Sequence, residues 1–159
     1  MYINQKDLLW GMDKTFVRQI MDLAEKETCR KGEVLFREGD PADHLYILTR
    51  GHVQLSVGER GPSVYIINHP GEGFGWSSLI DRRTYTATAR CVEESQMYRI
   101  ESADLNRLLE EDPRIGMVFF KKIAAILSNR LLQMYGQNVP AAAVTTFGTG
   151  QVQDYPESP

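Results

Sequence analysis

The spacing of apolar positions along this chain changes period twice. After Asp13, apolar residues fall three and four apart: Phe16, Ile20, Leu23 and Ala24 share one face, with Arg18, Asp22 and Glu25 mostly opposite. Asp13 is placed to cap the first turn. This predicts a helix over 13–26, preceded by a short helical turn at 6–10. Between residues 28 and 100 the period becomes two. Glu33-Val34-Leu35-Phe36, Leu45-Tyr46-Ile47-Leu48, His52-Val53-Gln54-Leu55-Ser56-Val57 and Val64-Tyr65-Ile66-Ile67 alternate or are rich in β-branched and aromatic residues. Two further strands are expected at 85–92 and 96–100. The strands are punctuated by Gly32, Gly39-Asp40-Pro41, Arg50-Gly51, Gly58, Gly61-Pro62 and Pro70-Gly71. Many short strands at this spacing predict a mainly β, jelly-roll architecture with flanking helices.

The helical period returns at residue 102. Ser102 is read as the cap of a short helix through Leu109, and Pro113 as the start of a long one ending near Tyr135-Gly136. In the long helix Ile115, Val118, Phe119, Ile123, Ile126, Leu127, Leu131 and Met134 form a stripe. Phe120, Ala124 and Leu132 widen it beyond what one β-roll covers. A second contact follows, and Phe120, Ala124, Leu127 and Leu131 are the expected homodimer interface. Residues 1–135 are therefore read as one domain. Residues 136–159, rich in Pro, Gly, Ala and Thr and lacking Lys and Arg, are read as a loosely packed tail.

Composition narrows the class. With 159 residues, 42% hydrophobic and 25% charged, the chain fits a soluble globular domain. A formal net charge of −3 disfavours a phosphate-backbone binder. No apolar run approaches the ~20 residues that cross a bilayer, and the first residues lack a signal-peptide pattern, so a cytoplasmic protein without membrane contact is expected. Cys29 and Cys91 lack C-x-x-C spacing. They read as buried thiols, with a disulfide, a redox switch or metal ligation as the other readings.

The densest chemical signal is Gly71-Glu72-Gly73-Phe74-Gly75-Trp76-Ser77-Ser78-Leu79, followed by Tyr85-Thr86-Ala87-Thr88-Ala89. A glycine-rich turn entering a short helix aims unpaired N–H groups in one direction, which favours an anion. The expected ligand-binding set is Phe74, Gly75, Trp76, Ser77, Ser78, Arg83, Tyr85, Thr86 and Ala87, with Arg130 reaching from the last helix.

The order helix, glycine-punctuated β-roll, two helices resembles the cyclic nucleotide-binding domain family, including the sensor halves of catabolite-activator-type and fumarate-nitrate-regulator-type proteins. The matching residues are Lys31-Gly32-Glu33, Arg37-Glu38-Gly39-Asp40, Leu45 to Val53, Pro70 to Gly75, Thr86-Ala87-Thr88 and the helix from Asp112-Pro113 to Arg130-Leu131. The resemblance covers residues 8–135 and implies a double-stranded β-helix with a long C-terminal helix. It also implies a phosphate cassette in which an acid after Phe-Gly holds the ribose hydroxyl, and an arginine ten residues later pairs with the cyclic phosphate. Here Phe74, Gly75, Thr86 and Ala87 match, but Trp76 stands for the acid and Tyr85 for the arginine.

Losing a charge-assisted arginine–phosphate contact costs about 1.5–3 kcal/mol, or roughly tenfold to a hundredfold in affinity. Arg83 lies two residues before Tyr85, so in an extended chain it would point the same way and could substitute; a solvated loop position is its other reading, and the favoured one. Trp76 and Tyr85 admit two readings: walls of a site for a flatter, less charged effector, or aromatic plugs of an obsolete pocket. The first predicts a stand-alone sensor with a small-molecule effector of the cyclic-nucleotide type. The second predicts a ligand-free homodimeric interaction module. Ordinary cyclic AMP binding and haem sensing rank behind both. His44, His52 and His69 are scattered, no metal-ligand spacing or nucleophile–base pair appears, and no enzyme is expected. No cofactor is named by these residues, and the tail is too short for a DNA-recognition unit.

Overall fold

Strand β3 (His44–Arg50) builds two cores from one strand. Its side chains alternate faces: Leu45 and Ile47 enter one buried cluster, Tyr46 and Leu48 another. The computed structural model describes residues 7–58 and 61–138. Their elements run α1 (Lys14–Leu23), β1 (Glu25–Cys29), β2 (Val34–Phe36), β3, β4 (Val53–Ser56), β5 (Ser63–Ile67), β6 (Gly73–Phe74), a 3₁₀ turn (Trp76–Leu79), β7 (Thr88–Cys91), β8 (Ser95–Glu101), α2 (Ser102–Glu111) and α3 (Pro113–Asn138).

The strands form two antiparallel four-stranded sheets, ordered β1-β8-β3-β6 and β2-β7-β4-β5. This is the expected jelly roll with flanking helices and a long final helix. The inner faces of the two sheets enclose Phe36, Tyr46, Leu48, Val53, Ile67, Phe74, Tyr85, Ala89 and Met97. On the other face of the first sheet, Leu45, Ile47 and Ile100 meet Phe16 and Ile20 of α1, Leu105 and Leu109 of α2, and Phe119, Ile123 and Ile126 of α3. Phe16 and Phe119 meet edge-to-face at 6.0 Å. The chain divides into two units, Met1–Ile126 and Leu127–Pro159. The second is described through residue 138, as the continuation of α3.

Several local expectations are corrected. Helix α1 stops at Leu23, because Ala24 turns extended and the chain enters β1. The charged residues of β1 read as the end of a helix, yet they are cross-strand partners: Glu25 lies opposite Arg99, whose guanidinium contacts its carboxylate at 2.5 Å. Asp7 to Met12 form bends and turns rather than a helix. Ser102 does not cap α2; its hydroxyl donates to the Asp43 carbonyl at 2.7 Å, tying the helix start to the roll. The seventh strand begins at Thr88, so residues 85–87 lie outside it. Helix α3 runs through Gly136 to Asn138. The expectations for the rest of the tail lie outside the described residues.

Candidate functional site

The glycine turn is built as the sequence requires. Gly75 follows β6 with φ of 84°, a left-handed conformation that opens the 3₁₀ turn Trp76–Leu79. A Cβ here would come within 2.9 Å of the His44 carbonyl oxygen, so the turn packs directly on β3. Ser78 closes the turn, its N–H and Oγ both donating to the Gly75 carbonyl at 3.2 and 2.9 Å.

Tyr85 is the central residue of the site. Its backbone is pinned by the 37–42 turn: its carbonyl accepts from Gly39 N–H and its N–H donates to the Asp40 carbonyl, both at 2.9 Å. Its ring enters the roll, where only 4% of the residue remains exposed. It stacks on Phe36 with centroids 3.7 Å apart. Phe36 in turn lies 5.6 Å from Tyr46, and Tyr46 stacks on Phe74 at 5.2 Å. The Tyr85 hydroxyl donates to the His44 carbonyl at 2.8 Å and accepts the His44 N–H at 3.1 Å. Burial raises the Tyr85 phenol above its ordinary range, outweighing the opposing hydrogen bond to His44. Burial also holds the Tyr46 phenol well above that range. Both rings are therefore neutral, and the one donor of Tyr85 is already used.

Trp76 turns away from this stack. A Cβ on Gly73 would meet Trp76 Cη2 at 2.7 Å and Leu8 Cδ2 at 3.2 Å, and the indole packs with the cluster built by Leu8 and the helices. Trp76 and Tyr85 thus serve different cores. Ser77 is buried, with its Oγ 3.5 Å from Thr86 Oγ1, while Thr86 is exposed and Ala87 half-buried. Arg83 does not share the direction of Tyr85. Residues 81–87 lie outside the sheets, with Thr84 in an isolated bridge opposite Pro41, and the alternation argument fails there; Arg83 is exposed where Tyr85 is buried. Arg130 lies on α3 with 8% of its surface exposed.

Three contributors were not singled out from sequence. Phe36 and Tyr46 complete the ring stack, and their inward places on β2 and β3 were the available signal. Glu72 is fully buried and accepts from the Tyr65 hydroxyl at 2.8 Å and from the Asn68 and His69 N–H groups at 3.2 and 3.3 Å. This carboxylate fastens β5 to the glycine turn. Among the described residues no group of three or more His, Cys, Asp or Glu side chains could hold a metal, and no helix is long and apolar enough to cross a membrane.

A roll of two antiparallel sheets, a glycine turn on β6 and a long closing helix define a cyclic nucleotide-binding fold, and comparison with known proteins agrees. The model of the Cyclic nucleotide-binding domain family matches residues 26–112, and the chain belongs to that family. It is 29% identical over 114 residues to a candidate potassium channel protein of Rhodopseudomonas palustris, covering 72% of this chain and 27% of that protein. It is 27% identical over 117 residues to a CRP-like cAMP-activated global transcriptional regulator of Mycobacterium tuberculosis, covering 69% and 51%. The chain thus spans about half, or less, of the curated relatives it matches. A solved structure of a candidate cyclic nucleotide-binding protein from Geobacter metallireducens superposes with a TM-score of 0.71 at 27% identity, covering 82% of this chain and 99% of that one.

Proposed function

We propose that this domain is a regulatory, non-enzymatic module of the cyclic nucleotide-binding family that has exchanged its cyclic nucleotide for a built-in aromatic plug, and that it works in the cytoplasm as a homodimer. The observation that carries this reading is Tyr85. It stands where the family pairs an arginine with the phosphate, is 4% exposed, stacks on Phe36 and spends its hydroxyl on both main-chain groups of His44. A nucleotide entering the roll would have to expel a ring and leave His44 N–H and C=O unpaired, a cost of about 1–3 kcal/mol.

The working surface on this reading is the outer side of α3. Met117, Phe120 and Ala124 are exposed at helical spacing, and in the second unit Leu127 and Leu131 are exposed four residues apart. A second copy of the helix is the occupant that such a repeat fits. Beside the row, a groove of about 810 Å³ lined by Leu79, Leu109, Gly116, Met117 and Phe120 runs from the cassette turn to α3. Contact there would be felt at the turn.

A small effector is the second reading, supported by the Ser77 and Thr86 hydroxyls 3.5 Å apart, with Arg83 exposed three residues before Thr86. Native mass spectrometry of protein purified without added ligand, with a thermal shift in cyclic AMP and cyclic GMP, separates the readings. An empty dimer with an unmoved melting point is the expected result. A retained small molecule supports the effector. A site filled to a hundred times its dissociation constant would add about 2.7 kcal/mol of stability, and such a shift with either nucleotide would overturn the plug.

A further inference from the structure

The only two cysteines of this chain lie 62 positions apart in sequence and share one buried cluster in the roll. Cys29 ends β1 and Cys91 ends β7, so they belong to different sheets. Cys29 lies directly opposite Ser95 in the β1–β8 register, and Cys29 and Cys91 belong to the same buried cluster inside the roll. The Glu33 carbonyl is a shared reference point: it accepts the Cys91 N–H at 2.9 Å and lies 3.8 Å from Cys29 Sγ. The residues are 3% and 0% exposed.

We propose that Cys29 and Cys91 form a thiol–disulfide site that closes to an intramolecular bridge by exchange with a low-molecular-weight disulfide, stapling the two sheets of the roll. The way in is the turn 30–33, whose four residues are all exposed. It is held by Gly32 N–H to the Cys91 carbonyl at 2.6 Å, Arg30 N–H to Glu33 Oε2 at 2.7 Å and Arg90 Nη1 to the Gly32 carbonyl at 2.8 Å. Burial raises both thiols, so the closed roll keeps them protonated and protected. Local opening of the turn hydrates them and restores thiolate.

The exchange then balances in two steps. The Cys29 thiolate attacks one sulfur of the small disulfide, forming a mixed disulfide and releasing one small thiol. The Cys91 thiolate attacks Cys29 Sγ in that mixed disulfide, forming the Cys29–Cys91 bond and releasing the second small thiol. Two protein thiols are oxidised and one small disulfide is reduced to two thiols. The bridge closes a loop of about 60 residues, which restricts the unfolded chain. It also fixes the end of β7, the strand that follows Tyr85.

The test is to incubate the native chain with oxidised glutathione and read intact mass, thiol titre and peptide maps. The expected result is loss of two hydrogens, loss of both titratable thiols, a Cys29–Cys91 cross-linked peptide and a melting point raised by about 10 °C. Reduction should reverse all four. Cys29→Ser and Cys91→Ser should each stop short of the bridge, and the wild-type peptide map decides the matter if either variant fails to fold. Native protein that keeps both thiols while urea-unfolded protein oxidises would overturn the proposal, as would mixed disulfides or intermolecular bridges alone.

Discussion

The inside of the roll and the outer side of α3 are both rich in large apolar residues, but they are finished differently. Inside, Phe36, Tyr46, Phe74 and Tyr85 stack on one another, and the Tyr85 hydroxyl meets main-chain groups of His44. Outside, Met117 is 61% exposed and Leu131 47%. A cavity meant for a charged ligand keeps polar groups ready and space empty; this interior does neither at Tyr85. A surface meant to stay wet does not repeat apolar residues at helical spacing. On the proposed reading, the contrast teaches that a fold can keep its shape while its recognition moves from the inside to the outside.

Deleting a ring from the stack should give the largest effect. Phe74→Ala, fully buried, is expected to cost about 3–5 kcal/mol, read as a fall of about 10 °C or more in melting point. Phe120→Glu is the matching change outside. It should leave the circular dichroism native and convert dimer to monomer by sedimentation, since an unpaired charge in the seam costs about 3 kcal/mol or more. Unfolding by Phe120→Glu would move that residue to the core side of the comparison, and a wild-type chain already monomeric at tens of micromolar would remove the seam.

Tyr85→Phe sharpens the comparison within the roll. It keeps the stack but strands His44 N–H and C=O, for an expected loss of about 1–3 kcal/mol by urea denaturation. The smallest effect is with pH. Burial raises the folded-state values of Tyr85 and Tyr46 above the unfolded value near 10. Their contribution is therefore fully present below pH 10 and is lost as pH rises above it, because the unfolded phenols ionise first. Stability should fall on the alkaline side, and less steeply in Tyr85→Phe.

Much of this was legible in sequence. Glycines and strand alternation marked the roll, and Trp76 and Tyr85 stood out against the family pattern. The missing parts were those where local period carries no information. Strand β1 (Glu25–Cys29) has the composition of a solvated helix end, and only its pairing with β8 makes it a strand. The segment at Arg83 and Tyr85 leaves the sheet, so two-residue spacing no longer implies a shared direction. Trp76 and Tyr85 are nine residues apart on one cassette, and nothing local tells that one ring packs toward the helices and the other into the roll. The meeting of Cys29 with Cys91 is likewise a product of topology.

The claim that a built-in tyrosine has replaced the nucleotide is tested most directly by calorimetric titration of cyclic AMP and cyclic GMP into two proteins side by side, the wild type and the paired variant Trp76→Glu with Tyr85→Arg. The account predicts no binding heat from the wild type up to low millimolar nucleotide, and a gain of affinity of at least about tenfold to a hundredfold in the variant as the phosphate contact returns. A micromolar dissociation constant for the wild type would contradict it.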